Sequence, residues 1–353
     1  MRAFSDRLMD AVDDKRTMVC VGLDPRLGLI PAFLRQESVS KYGETLEAVA
    51  ACYSAFNKGI IDAVKDKVAL VKPQIAFYEA YGAPGIKAFE ETVRYARSAG
   101  LIVIEDAKRN DIGSTAEAYS SGHIGEVEFW KGKTRVYDVD AITVSPYLGS
   151  DGVQPFVDDC RTHQKGIFVL VKTSNPSSGQ LQDLLHVVDC PWMNEVRQGL
   201  TDDGTVLLFS NTRQLGEADK VTIAPNYMSM AVNVKMWGDG VLGERGYSSI
   251  GAVVGATYPS EARVLRKIMP KTYFLVPGYG AQGGSAKDAM ACLNSDGYGA
   301  IISSSRDIDY AYRAESFCRN HSEDAFDLAA AEATTAMIDA ISEAMKSAGK
   351  YPW

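Results

Sequence analysis

The stretch EDAKRNDIG (105–113) places Glu105, Asp106, Lys108, Arg109 and Asp111 directly after an apolar run, Leu101–Ile104. On an extended strand Asp106 and Lys108, two residues apart, share a face. Lys72 ends another apolar run, KVALVK (67–72), and reaches the same spot if the two runs are neighbouring strands. Asp111 lies just beyond, on the turn. In an alternating Lys–Asp–Lys–Asp array each charge has an opposite neighbour, so both lysines stay protonated and both acids ionised. Such an array offers electrostatic chemistry, with fixed charges of both signs held at a reacting centre. A solvated salt-bridge cluster on a loop is the alternative, and convergence of four charges from two strand ends argues against it.

A second group of residues suits anion binding. VPGYGAQGG (276–284) is rich in glycine, and its backbone N–H groups can form an anion nest. ISSSR (302–306) ends in Arg306, whose planar fork suits phosphate. The four histidines, His123, His163, His186 and His321, fall outside the strand ends. A histidine metal site or a Ser–His relay therefore has little support, and no metal is assigned. Asp24, Asp106 and Asp111 leave an acidic metal site formally open.

The elements that must position these residues follow from eight short apolar runs: 17–24, 67–72, 101–108, 139–146, 166–174, 249–257, 272–280 and 299–306. They are Val/Ile-rich and hydrophobic almost throughout, as in strands buried on both faces of a parallel sheet. Helical patterns lie at 42–66, 82–100 (ending in Gly100), 258–269, 285–297 and 322–349. Eight buried strands alternating with helices predict an α/β fold, a (β/α)8 TIM barrel spanning 1–353 as a single domain. A doubly wound open sheet is the alternative. Residues 178–248 exceed what a loop and one helix need, and are expected to form an extended excursion after the fifth strand, as a tolerated surface insertion or an extra hairpin. In a barrel of this type the strand ends carry the chemistry. Ionisable groups gather on the first three ends (Asp24, Lys72, Asp106, Lys108, Asp111). The fifth offers Thr173 and Ser174, and the last two offer Pro277, Gly278, Gly280, Gln282 and Arg306. That division suggests a reacting half and an anion-holding half.

Composition sets outer limits. The chain has 353 residues, 46% hydrophobic and 23% charged, with 37 basic against 45 acidic residues and a net charge of −8. A general nucleic-acid or anionic-membrane binder is excluded on that balance, and no apolar stretch approaches a membrane span. Six scattered cysteines, with no C-x-x-C pair, suggest reduced thiols and a cytoplasmic setting. The N-terminal residues show no apolar signal region. Phe4, Leu8 and Val12 fall on one helical face instead.

DAKRNDIGSTA (106–116) resembles the D-x-K-x-x-D-I-x-x-T signature of orotidine 5′-monophosphate decarboxylases. VGLDPR (21–26), VKPQIAFYE (71–79), KTSNPSSG (172–179), VVGATYP (253–259), VPGYGAQGG and SSSR resemble the family's other blocks, in order, in its longer bacterial and apicomplexan-type branch. The D-x-K-x-x-D part alone is shared with sugar-phosphate enzymes of the same superfamily. The resemblance implies decarboxylation of a nucleotide, orotidine 5′-monophosphate, to UMP and CO2 without metal or organic cofactor. It implies that Lys108 stabilises and protonates a C6 carbanion, that Asp106 faces the departing carboxylate, and that Lys72 and Asp111 hold the network. Asp24 and Lys72 would bind ribose, Thr173 or Ser174 the pyrimidine edge, and Pro277, Gly278, Gly280, Gln282 and Arg306 the phosphate region. It further implies a homodimer with shared sites, into which Asp111, Ile112 and Thr115 of the neighbouring subunit enter. A metal-dependent sugar-phosphate decarboxylase, a Schiff-base aldolase and a non-catalytic nucleotide-binding barrel are the rival readings.

Overall fold

The computed structural model describes residues 2–188 and 222–353. Eight parallel strands form a closed barrel: β1 (Val19–Leu23), β2 (Leu70–Pro73), β3 (Ile102–Arg109), β4 (Ala141–Val144), β5 (Gly166–Lys172), β6 (Ser248–Val254), β7 (Thr272–Val276) and β8 (Ala300–Ser304). Each of the eight predicted apolar runs supplies one strand. β1 pairs with both β2 and β8, Val19 lying opposite Ile302, and that pairing rules out the open sheet. β1, β2, β4, β6, β7 and β8 are buried along their whole length. One face of each fills the barrel and the other lies under helices, so these strands show no polar alternation. β3 differs: it is buried from Ile102 to Glu105 and opens from Asp106 onward. Core becomes site at that residue.

The main helices are α1 (Phe4–Lys15), α2 (Ala32–Tyr42), α3 (Leu46–Val64), α4 (Gly82–Ser98), α5 (Gly113–His123), α6 (Ser150–His163), α7 (Asn226–Gly238), α8 (Pro259–Ile268) and α9 (Phe326–Ser347). Thr45 caps α3 by accepting from the Ala48 N–H at 3.2 Å. Gly100 follows α4 at φ +84, the left-handed conformation that stops a helix most easily at glycine. The helix expected over 285–297 is confined to one turn, Ala286–Ala289, continued by a 3-10 turn to Cys292. A Ser285–Asp288 capping box starts it, and the polar turn Asn294–Gly297 ends it, with the Asn294 N–H donating to the Tyr298 carbonyl. Between β5 and β6 the described residues include an antiparallel strand pair, Leu185–Val188 with Thr222–Pro225, followed by α7. Residues 189–221 of the expected excursion lie outside the described residues.

Helix α1 closes the floor of the barrel. The Asp6 carboxylate accepts the Glu244 and Arg245 N–H groups, both at 2.9 Å, and Ser5 donates to the Tyr247 carbonyl. Arg7 pairs with Asp140 at 2.9 Å and donates to the Gln164 carbonyl. All these partners precede strands, so the polar mouth lies at the opposite end. Phe4 sits against Gly166 so closely that a Cβ there would lie 2.2 Å from its ring.

A second floor contact joins the last strands. Arg266, 7% exposed, donates to the carbonyls of Cys292, Met269, Thr272 and Gly299 at 2.6–2.9 Å and stacks on Phe274. Burial lowers its pKa to about 10, which still leaves it charged at neutral pH. Arg266→Met removes the side-chain donor from all four carbonyls, of which Gly299 and Met269 keep only the Phe274 and Thr272 N–H groups. Urea unfolding should show a loss on the order of 3 kcal/mol, with the polar mouth at the other end of the barrel unaffected in the folded protein.

Candidate active site

The C-terminal ends of the strands enclose a cavity of about 550 Å³. β1 contributes Asp24 and Arg26, β2 Lys72 and Gln74, β3 Asp106 and Lys108, and β4 Thr143. The β5 end contributes Thr173, Ser174 and Asn175, the β7 end Pro277, Gly278 and Gln282, and the β8 end Ser303 to Arg306. The predicted division into an ionisable half and a glycine–arginine half is therefore a division of the cavity wall.

Asp106 is the centre of the first half. Its Oδ2 accepts from Lys72 Nζ at 3.1 Å and its Oδ1 from Lys108 Nζ at 2.5 Å. Burial works to raise the Asp106 pKa. The charges of Lys72 and Lys108, with their hydrogen bonds, overcome that and hold the carboxyl well below its usual range. For Lys72, burial opposes the charge, but Asp106 and Asp24 raise its pKa above the ordinary value. The Lys72 side chain is 7% exposed and that of Lys108 46%. Lys72 thus acts as a fixed counter-charge while Lys108 faces the cavity.

Asp106 and Lys108 meet, but not through simple alternation along an extended strand. The β3–β4 register shifts between Glu105 and Arg109, and Lys108 has φ +50. The backbone bulges at the point where the lysine emerges, and a bulge re-aims the side chain it carries. Asp111 does not join the array in its own chain. Its Oδ1 accepts the Ile112 N–H, and it is absent from the cavity wall. Ile112 is 52% exposed and Thr115 is exposed on α5.

Asp24 is held from behind by residues that sequence reasoning missed. Its N–H donates to Asp309 Oδ2 at 3.0 Å, and its carbonyl accepts from Tyr310 OH at 2.9 Å. The same hydroxyl accepts the Arg26 N–H at 2.7 Å. Burial, and then the charge of Asp24, pushes the Asp309 pKa well above the carboxylate range. Asp309 belongs to the one-turn helix Arg306–Asp309 that begins with the predicted phosphate arginine. The signal in the sequence was SSSRDIDY, an acidic pair beside a site arginine.

In the second half, Ser174 Oγ donates to Gln282 Oε1 at 2.7 Å, tying the β5 loop to the glycine loop. Gly278 and Gly280 have φ +96 and +70. The Gly280 N–H donates to the Gly284 carbonyl, and the Ala281 N–H to Asp307 Oδ2. The expected nest is therefore narrower than the sequence suggests: the Gly280 N–H is already engaged, while Gly278 and Gln282 stand at the cavity wall. Thr173 Oγ1 donates to Asn175 and accepts from Gln182 Nε2. Behind this loop Lys172 is fully buried, paired with Asp183 at 2.5 Å and lying 4.4 Å from the Tyr258 ring. It staples the start of the excursion to the barrel.

Comparison with known proteins fits this geometry. The model of the orotidine 5′-phosphate decarboxylase / HUMPS family matches residues 17–203. The orotidine 5′-phosphate decarboxylase of Rhodopirellula baltica is 43% identical over 317 residues, covering 90% of this chain and 91% of the relative. That of Caldicellulosiruptor bescii is 38% identical over 313 residues, covering 89% and 91%. The solved structure of Leishmania donovani OMP decarboxylase superposes with a TM-score of 0.64 at 31% identity, covering 96% of this chain and 98% of that one.

The doubly paired carboxylate has a measurable signature. The folded state holds Asp106 ionised at pH values where the unfolded chain would protonate it. Its stabilisation is complete above an unfolded pKa of about 3.9 and is lost as pH falls toward the depressed folded value. Asp106→Asn should be less stable than wild type at neutral pH, with Lys72 left buried beside no carboxylate of its own strand pair. The difference should shrink as pH falls below about 4, read by urea unfolding across the acid range.

Proposed function

Because the chain belongs to the orotidine 5′-phosphate decarboxylase family, we propose that its charged barrel mouth is where orotidine 5′-monophosphate loses CO2, with Lys108 as the group that stabilises and protonates C6. The enzyme is a carboxy-lyase that forms UMP in pyrimidine nucleotide synthesis. The bond from C6 to the carboxylate carbon breaks, its electron pair stays on C6, and a proton from the Lys108 ammonium replaces the lost group. The observation that carries this reading is the Lys72–Asp106–Lys108 array, with Lys108 turned to the cavity.

The C6 carbanion has no adjacent carbonyl to delocalise it, so fixed charge must do the work. An ammonium beside C6 strengthens its interaction as negative charge develops, which is differential stabilisation of the transition state. Asp106 faces the substrate carboxylate. Two unit charges about 4 Å apart repel by roughly 4 kcal/mol at an effective dielectric near 20. Departure of neutral CO2 releases that repulsion. Asp24 and Lys72 bind the ribose, and Thr173 or Ser174 the pyrimidine edge. Arg306 and Gln282, with the Pro277–Gly280 loop, bind the phosphate. Neither a metal nor an organic cofactor takes part, and the five described cysteines are unpaired thiols in keeping with a cytoplasmic setting.

The working unit is a homodimer with shared sites. Asp111, Ile112 and Thr115 are absent from the wall of their own cavity. Exposed Ile112 and Tyr119 supply apolar surface on the same loop and helix, and Tyr147 and Leu148 supply more on the β4–α6 loop. A two-fold pairing carries each chain's Asp111 to its partner's array, completing the fourth charge.

The first test follows orotidine monophosphate by absorbance with and without a chelator. Turnover should be indifferent to EDTA. Lys108→Ala should lose at least about 10⁴-fold in kcat, the upper end for a general-acid group alone, while still binding UMP. A variant with a tenth of wild-type kcat removes Lys108 from this role. The second test mixes inactive Lys72→Ala and Asp111→Ala dimers. Random reassociation should return about a quarter of wild-type activity per protomer, from the heterodimer site with both residues intact. Subunit exchange without recovered activity would place Asp111 in its own chain's site.

A further inference from the structure

We propose that Thr143, on β4, is the positioning residue that sets the geometry of the Asp106–Lys108 pair. The inference rests on the reading of Lys108 as the proton donor. Across the bulge the strand ladder is broken: Glu105 lies opposite Ile142 and Arg109 opposite Val144, so the residues between them are out of step with β4. Lys108 has φ +50, a conformation that strains a residue with a side chain and persists only where its surroundings hold it.

The Thr143 hydroxyl is what holds it. Oγ1 accepts the Ala107 N–H at 3.0 Å and the Lys108 N–H at 2.9 Å. It donates to Asp106 Oδ1 at 3.0 Å, because an ionised carboxylate can only accept. A hydroxyl has one proton and two acceptor lone pairs, and all three are used here. Thr143 lines the cavity, yet its hydroxyl has nothing left to offer a substrate. One oxygen therefore satisfies the N–H groups that the bulge withdraws from the ladder and fixes the carboxylate that Lys108 Nζ meets at 2.5 Å. Thr143 is 1% exposed, and branching at Cβ limits its rotamers, so the oxygen is held in place before substrate arrives. Loss of the hydroxyl frees the root of Lys108 and one oxygen of Asp106 together, and both reacting charges shift relative to C6.

The test is Thr143→Val, which keeps the shape, beside Thr143→Ser, which keeps the oxygen. A misplacement of reacting groups by about 1 Å costs on the order of 10²-fold. The valine variant should therefore lose about that much kcat, while KM and UMP affinity stay within about threefold and serine restores kcat to within about threefold of wild type. The inference is overturned if folded Thr143→Val keeps kcat, if its defect lies in KM alone, or if serine is as impaired as valine. Should the valine variant not fold, Thr143→Ala carries the same reading, since it also lacks the hydroxyl and adds no bulk. Lys108→Ala is assayed in parallel. An inactive Lys108→Ala beside an active Thr143→Val sinks this inference alone, whereas an active Lys108→Ala sinks the proton-donor reading beneath it.

Discussion

A carboxylate held between two ammonium groups in a nearly dry wall is the constraint around which the molecule is arranged. Asp106 is largely enclosed at the point where β3 begins to open, and each of its oxygens meets a lysine. Burial alone would drive it neutral, and a neutral acid would leave Lys72 buried without its nearest counter-charge. Neither lysine pairing can be given up without destabilising the other. The barrel makes this possible: adjacent parallel strands β2 and β3 end side by side, so Lys72 and Asp106 meet without a long loop.

The remote half of the cavity depends on the same economy of placement. Arg306 opens a single helical turn whose last residue, Asp309, holds the Asp24 backbone. Arg306, proposed for the phosphate, and Asp24, proposed for the ribose, are thus joined through four residues of chain and one hydrogen bond. Gln282, on the glycine loop, is bonded to Ser174 on the β5 loop. Groups from different strand ends around the cavity are thus physically connected. This suits an enzyme in which binding energy far from C6 helps to hold the reacting end.

What the sequence revealed, and what it hid, follows from the range of each interaction. The strands were legible because burial on both faces leaves unbroken Val and Ile runs, as at Ala141–Val144 and Thr272–Val276. Lys72, Asp106, Lys108 and Arg306 were legible because ionisable residues at the end of such runs contradict the burial before them. The Lys108 bulge was hidden, since nothing in DAKRND marks a left-handed residue that a threonine 35 positions later stabilises. Asp309 and Lys172 were hidden because a buried charge has no local pattern. Its partners, Asp24 and Asp183, reach it through the fold. The 285–297 helix was over-read, because helical composition there is cut short by Asn294 and Gly297.

The floor of the barrel bears on how the chain is made. Helix α1 is translated well before its partners, which are Asp140, Gln164 and the 244–247 turn, and β1 completes its pairing only with β8. Phe4, Leu8 and Val12 therefore wait for partners spread over 140–247, and the open edge of β1 waits longer still, until Ile302–Ser304 is translated. At about 5–20 residues per second that interval lasts tens of seconds. Closure is a late, long-range event, and until it happens the apolar face of α1 and the edge of β1 are surfaces open to a nascent-chain chaperone.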